Sequence, residues 1–550
     1  MQLMEKIDPS DRVKNWLESL QYSEATLAVA KKILEDIHRG VDATNAIRRN
    51  PLPGGGYVAK HVLVAAYRQM VENDHLQPDE SLLARIRMKP VRTLSGVATV
   101  TVLTKPYPCP GKCIFCPTDA RMPKSYLPDE PGAARAYQNE FDPYLQVRSR
   151  LDSYHGIGHP TEKIELLILG GTWSAYRRDY QEWFVKRCFD ALNEAESTSL
   201  EEAHRLNETS AHRNVGLVIE TRPDEITVNE LIWLRRLGVT KVQLGIQSLD
   251  DTILEKNQRG HSTAVTLRAT ALLRAAGFKI VAHWMPNLLG ASLESDRDDF
   301  ARLWMEAPQG LGYCPDELKI YPTQLLENAE LYSYWQRGEY QPYKMEELID
   351  LIADLKPGIP TYCRVNRIIR DIPSTHVVAG NKRTSLRQDV LAELARRGQT
   401  CHCIRCREIR ARQVRTERLV LNDRVYTPAY AEEHFLSFVT PEDRIAGYLR
   451  LSLPKNPPHS SWQPGLGLPD LQDAALIREV HVYGQAMALG AEKKGVAQHS
   501  GLGSRLLARA AEIARSAGFR RLAVISAIGT RRYYQKRGFA PGELYMTKEL

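Results

Sequence analysis

The chain has 550 residues, enough for about three domains. With 43% hydrophobic and 25% charged residues it has the balance of a protein with a sizeable core, and no run of 18 apolar residues exists to span a membrane. The net charge is +8, yet residues 361–420 alone hold 14 Lys and Arg against 5 Asp and Glu, which points to a polyanionic partner rather than a uniformly basic surface.

Residues 1–92 read as helices, over 11–20, 23–39 and 60–72, broken by PLPGGG at 51–56 and followed by a basic exit of Arg85, Arg87, Lys89 and Arg92. The first residues lack the apolar core of a secretory leader, so a cytoplasmic location is expected. Residues 93–345 alternate short apolar runs with helical stretches. The predicted strands are 97–103, 164–170, 215–221, 241–247, 279–285 and 317–323, and the helices between them are 179–193, 229–237, 264–276 and 295–306. This alternation means a parallel sheet, and the near-continuous apolar runs predict burial on both faces. Six such units fit a partial (β/α)6 barrel, with ligands at the carboxyl ends of the strands. Residues 346–414 form a basic linker. Residues 415–550 form a second α/β unit, with strands at 419–426, 434–440, 446–453, 476–484 and 520–526 and a helix at 503–517. A Pro, Gly and Ser-rich loop interrupts it at 454–469.

Six of the nine cysteines fall in two tight sets, Cys109, Cys113, Cys116 and Cys401, Cys403, Cys406. In a cytosolic chain such spacing indicates metal ligation rather than disulfides. The first set is C-x3-C-x2-C and directly follows the first predicted strand. Three thiolates can hold three irons of a [4Fe–4S] cluster and leave the fourth open, whereas structural zinc asks for four protein ligands. Phe115 can shield such a cluster. The pattern resembles the radical S-adenosylmethionine (radical SAM) superfamily. The resemblance implies that the cluster binds the methionine moiety and that one-electron reduction releases a 5′-deoxyadenosyl radical. It also implies that Gly170, Gly171 and Thr172 meet the methionine amine. Polar groups near successive strand ends, Glu220, Gln247, His283 and Lys319, point to a shared cavity. Lys319, buried in an apolar run, needs a carboxylate, phosphate or other hydrogen-bonding partner.

Gln498, Gly501 and Gly503 form Q-x-x-G-x-G at the start of a helix, where backbone N–H groups and the helix dipole favour a pyrophosphate. With the strand before it and Tyr533, Tyr534 and Phe539 after it, this part resembles the GNAT N-acetyltransferase fold, which binds acetyl-coenzyme A. A tyrosine such as Tyr534 can act there as general acid. The pairing of the two parts resembles the catalytic subunit of Elongator, the tRNA uridine(34) acetyltransferase or tRNA carboxymethyluridine synthase family. Supporting segments are FDPYLQVRSRL, IETRPD, QLGIQS, REVHVYG and AVISAIGTRRYYQKRGF.

That resemblance implies a reaction. The radical abstracts hydrogen from the acetyl methyl of acetyl-coenzyme A, the carbon radical adds to carbon 5 of uridine 34, and oxidation with thioester hydrolysis leaves 5-carboxymethyluridine. It implies acetyl-coenzyme A contacts at Lys163, Glu479, Val480, His481, Val482, Leu502, Gly503, Ser504 and Tyr534, and an external electron donor. The C-x3-C spacing departs from the wider spacing of eukaryotic members and suggests a bacterial or archaeal type that works alone or as a homodimer. The second cysteine set suits zinc, with His402 or His376 as the fourth ligand. The N-terminal helices and Arg405, Arg407, Arg410, Arg412 and Arg415 are expected to grip the anticodon stem-loop. Two other readings remain open on residues alone: a protein lysine acetyltransferase, which needs no reductant, and a tRNA-binding scaffold without turnover.

Overall fold

The protein is described by a computed structural model that covers residues 22–307, 311–410, 416–454, 466–484 and 501–550. The predicted helix at 11–20, Arg412, Arg415 and Gln498 lie outside the described residues. The remaining N-terminal segment folds into helices Glu24–His38, Ala43–Arg49, Lys60–Glu72 and Glu80–Ile86. Ser23 begins the first by accepting a bond from the Thr26 N–H. These helices close on their own small core of Ala30, Ile33, Leu34, Ile37 and Leu63. Arg85 joins them by donating to the carbonyls of Ile37 and Val41.

Seven strands make the first sheet: β1 Ala98–Leu103, β2 Lys163–Leu169, β3 Arg213–Thr221, β4 Lys241–Gln247, β5 Lys279–Trp284, β6 Glu317–Ile320 and β7 Arg364–Arg367. They lie in chain order and every neighbouring pair is parallel. Among the described residues β1 bonds only to β2 and β7 only to β6, so the sheet is an open half-barrel. The helices between strands cover its outer face, and Ser199, Thr227, Ser262 and Ser292 cap four of them.

Two expectations change here. The expected burial on both faces holds in β6 and in all but the first residue of β5, but fails in β2. In β2 the outward Ile164, Leu166 and Ile168 are at most 1% exposed, while Lys163, Glu165, Leu167 and Leu169 line an internal cleft. The same period of two places Lys241, Gln243, Gly245 and Gln247 of β4, and Lys279, Val281 and His283 of β5, inward. The seventh strand, RVNR, lies within the stretch read as a linker. Its two arginines hide it from a search for apolar runs.

The second sheet has strands β8 Val420–Tyr426, β9 Ala431–Val439, β10 Ile445–Pro454, β11 Ala474–Val482, β12 Arg521–Val524, β13 Ala540–Pro541 and β14 Met546–Glu549, in the order β8-β9-β10-β11-β12-β14-β13. Only the pair β11 and β12 is parallel. Their register runs from Ala474–Arg521 to Ile477–Val524 and then stops, while β11 continues to Val482. The two strands therefore part at Ile477 and open a wedge. Helix Leu502–Ser516 packs Leu502, Leu506, Leu507 and Ala510 on this sheet.

The two sheets share one continuous core, and a buried ionic cluster joins them. Arg274, Arg450 and Arg478 face Asp316, Glu433 and Glu479, three charges against three. Arg274 and Asp316 belong to the half-barrel side. Glu433, Arg450, Arg478 and Glu479 lie on β9, β10 and β11. Arg478 Nη1 is 3.0 Å from Asp316 Oδ1 and 2.9 Å from Glu433 Oε2. Arg450 Nε is 2.9 Å from Glu479 Oε2.

Candidate active site

A single cleft of about 1750 Å³ is lined by both sheets. Its upper end lies at the carboxyl ends of the half-barrel strands, where Cys109, Cys113 and Cys116 follow β1. Cys113 is 7% exposed, Phe115 beside it is equally buried, and the cysteines are free thiols. Arg259 Nη1 reaches Cys113 Sγ at 3.3 Å and Arg222 Nη1 at 4.0 Å. Two guanidinium groups thus address one buried sulfur. Both arginines are anchored independently, Arg222 to Asp224 and to the Arg259 carbonyl, Arg259 to the Gly245 carbonyl. Neither was singled out from the sequence; Arg222 sits inside IETRPD, but nothing local says that it turns toward a cysteine.

Gly171 and Thr172 line the cleft beside the cysteines, and Thr172 Oγ1 is 3.4 Å from Cys109 Sγ. Gly170 is behind them. Its φ is +139°, and a Cβ would drive into the Thr104 hydroxyl, so glycine is required by space as well as by dihedral. The N–H groups of Gly170 and Gly171 donate to Glu220 Oε1 at 3.2 and 2.9 Å, and the Tyr126 hydroxyl donates to the same oxygen at 2.7 Å. The strand-end residues Glu220, Gln247, His283 and Lys319 all line this cleft. Lys319 finds its partner in Gln243 Oε1, which also accepts from His283 Nε2 at 3.0 Å. Burial drives the Lys319 ammonium down to about 7, against the pull of Glu220. Burial and the neighbouring Lys319 charge keep His283 neutral.

The lower end of the cleft is the wedge between β11 and β12. Glu479, Val480, His481 and Val482 line it on one side, and Val524, Ile525 and Ala527 on the other. Gly501, Gly503 and Ser504 open the helix there, with Tyr533 and Tyr534 facing them. Leu502 instead packs in the core at 1% exposure. Lys163 lines the same end from the start of β2. Burial raises the Tyr534 phenol above its usual range, so it holds its proton at neutral pH. Burial alone would raise the Glu479 carboxyl, but Lys279, at 2.5 Å, and Arg450 hold it down to about 2. Its side chain is thus committed to the ionic cluster. Between the two ends the cleft wall carries Glu165, Lys241, Lys279 and Glu317, paired at 2.6 Å for Lys241–Glu165 and 3.3 Å for Lys241–Glu317.

The second cysteine set sits apart. Cys401, Cys403 and Cys406 place their sulfurs within 4.8 Å of one another. The first set does not form so close a group. Hydrogen bonds from Cys401 and Cys406 draw Cys403 toward thiolate while the bond to Cys403 pushes the Cys401 thiol up, and the buried Lys356, whose Nζ has no hydrogen-bond partner among the described residues, is a lesser influence on both. Neither expected histidine joins them. His402 is exposed and bonds to Thr400 Oγ1 at 3.1 Å, and His376 pairs with Asp129 at 2.6 Å. Of the linker arginines, Arg405 and Arg410 line the cleft. Arg407 is buried against Asp443 and is not available to a phosphate.

Comparison with known proteins agrees with this layout. Residues 107–303 match the Radical SAM superfamily, 315–396 the Radical_SAM C-terminal domain and 405–539 the Acetyltransferase (GNAT) family. The chain is 44% identical over 463 residues to the tRNA uridine(34) acetyltransferase of Dehalococcoides mccartyi, covering 84% of this chain and 99% of that protein. It is 34% identical over 486 residues to Elongator complex protein 3 of Homo sapiens, covering 85% and 87%. The solved archaeal Methanocaldococcus infernus Elp3 with an N-terminal deletion superposes with a TM-score of 0.71 at 38% identity, covering 83% of this chain and all of that one. Among the described residues, no helix is long and apolar enough to cross a membrane.

Proposed function

This chain belongs to the family of tRNA uridine(34) acetyltransferases and Elongator complex protein 3, and from that membership we propose that it attaches a carboxymethyl group, drawn from acetyl-coenzyme A, to carbon 5 of the tRNA wobble uridine. The observation that carries the reading is the single cleft that joins the cysteine end to the acyl wedge. A reaction combining a carbon radical with a thioester needs both ends open to one space.

The donor set at the upper end fits a [4Fe–4S] cluster: three free thiols at C-x3-C-x2-C spacing, two guanidinium groups on Cys113, and open volume beside them. When bound, the cluster and S-adenosylmethionine supply one-electron cleavage and a radical that takes hydrogen from a methyl group. Cys109, Cys113 and Cys116 would hold three of the cluster's irons, and an electron donor would have to reach them. Glu220 commits Oε1 to the protein and leaves Oε2 for the methionine ammonium, next to Gly171 and Thr172. Lys319, poised near neutrality, holds a carboxylate or passes a proton at Nζ.

At the lower end the N–H groups of Gly501, Gly503 and Ser504 cradle the pyrophosphate and Lys163 adds a cation. The edge of β11 at Val480 and Val482 faces the wedge and aligns the acyl arm, and Tyr534 protonates the departing thiolate. Cys401, Cys403 and Cys406, with sulfurs within 4.8 Å of one another, would supply three of the four ligands of a zinc site, the fourth coming from neither His402 nor His376. There the metal would staple β7 to the acetyltransferase sheet.

The test is anaerobic reconstitution with iron and sulfide, followed by dithionite, S-adenosylmethionine, acetyl-coenzyme A and tRNA, with nucleoside mass spectrometry. A 5-carboxymethyluridine peak dependent on every component is expected. Acetylated lysine on added protein, formed without reductant and with no modified nucleoside, would replace this reading with a protein acetyltransferase. Tyr534→Phe is expected to lower acetyl-coenzyme A turnover about 10²-fold while leaving its dissociation constant within about threefold, because the phenol acts on the leaving group. Unchanged turnover would remove Tyr534 from the acid role.

A further inference from the structure

Three guanidinium groups gather on the free edge of the half-barrel without a counter-charge. Arg92 lies on the turn Pro90–Thr93, Arg135 on helix Pro131–Gln138 and Arg150 on helix Pro143–Gly156. All three line the mouth of the cleft beside Thr99 and Thr101 of β1, the strand that bonds on one side only. Among the described residues, none of the three forms an ion pair. Arg150 has a 3.5 Å bond to Ser153 Oγ and packs 4.4 Å from the Tyr154 ring centroid. Burial, then repulsion from Arg150 and Arg92, holds the Arg135 guanidinium below its ordinary range. Asp371 acts on Arg135 from a distance but is itself paired with Arg367.

Elsewhere around the cleft Arg222 has Asp224 and Arg364 has Glu408, and Arg259, which has no ion pair among the described residues, is held by the Gly245 carbonyl and Cys113. Like charges held together and partly desolvated cost the folded state free energy, which an anion bound among them offsets.

We infer that Arg92, Arg135 and Arg150 form a binding site for a backbone phosphate of the RNA strand that enters the cleft over β1. The site is separate from the N-terminal helices and the cysteine-bearing linker. It rests on the reading of RNA as substrate. Guanidinium forks match the oxygens of a phosphodiester. Such contacts set register and affinity, not base identity.

The experiment measures tRNA binding by the full chain across a salt series, for wild type, Arg92→Gln, the double variant Arg135→Gln/Arg150→Gln, and its Lys/Lys counterpart. The Gln/Gln variant is expected to bind about 10–100-fold more weakly at 0.1 M salt. Its slope of log affinity against log salt should be shallower by about 1–2, since each lost phosphate contact removes somewhat less than one unit. The Lys/Lys variant should keep most of the slope. Arg92→Gln, on an exposed side chain that cannot upset folding, should lose about half a unit or more. Acetyl-coenzyme A affinity and tRNA-free cleavage of S-adenosylmethionine should not move. Unchanged slopes in Arg92→Gln and in the double variant would overturn the site. Weakened acetyl-coenzyme A binding with unchanged tRNA binding would assign the arginines to the phosphates of the acyl carrier and overturn it as well. If wild type binds no tRNA at any salt, the substrate reading fails first, and this site with it.

Discussion

Cys113→Ala is expected to abolish 5′-deoxyadenosine release from S-adenosylmethionine, with tRNA affinity within about twofold of wild type. Cys113 is the buried member of its set and the one that both Arg222 and Arg259 address. Two thiolates would hold an iron–sulfur cluster poorly, so the one-electron cleavage that such a cluster supplies would be lost. The fold should survive, because Arg222 keeps Asp224 and Arg259 keeps the Gly245 carbonyl. Iron content, nucleoside release and thermal midpoint, measured together, separate loss of the cluster from loss of the fold. Undiminished release would sink the assignment of this set.

Asp316→Asn is expected to destabilise the chain by about 3–5 kcal/mol, the usual cost of removing one member of a buried charge network. Asp316 is fully buried and is addressed by Arg478, Arg450 and Arg274. Without its charge three guanidinium groups share two carboxylates. The effect has a pH signature. Burial would raise the Asp316 carboxyl, but the three arginines hold it well below the carboxylate range. A depressed folded value means that its stabilisation is complete above the unfolded value, about 3.9, and is lost as pH falls toward the folded one. The gap between wild type and Asp316→Asn should therefore be widest above about pH 5 and narrow below about pH 4. Denaturation midpoints at pH 7 and about pH 2.5 measure it. Equal stability at pH 7 would mean that the cluster does not hold the two sheets together.

The elements legible in advance were those whose cause is local. The strand at 241–247 coincides with its observed bounds, and the helix at 60–72 does as well, because apolar period and flanking breakers lie within the segment itself. C-x3-C-x2-C after a strand, and glycines before a helix, carry their chemistry in their spacing. The seventh strand escaped because its edge position gives Arg364 and Arg367 inward and solvent-facing roles, which erase the apolar period. His402 lies between two cysteines in sequence yet points to solvent, because a side chain's direction follows the backbone and not its rank along the chain.

What the residues alone determined about this protein is its list of parts: a parallel half-barrel with a three-cysteine set, an acyl-carrier loop and helix, a tyrosine after them, and the family these resemble. Only the tertiary structure decided how the parts meet. Lys163, Glu220, Lys319, Glu479 and Tyr534 come from distant stretches, and only folding sets them around one cleft. Pairing of buried charges is decided the same way. Burying Arg478 requires Asp316 and Glu433, which lie 162 and 45 residues away. Desolvation makes such partners obligatory, yet nothing in a linear string of charges says which ones the fold will bring within 3 Å.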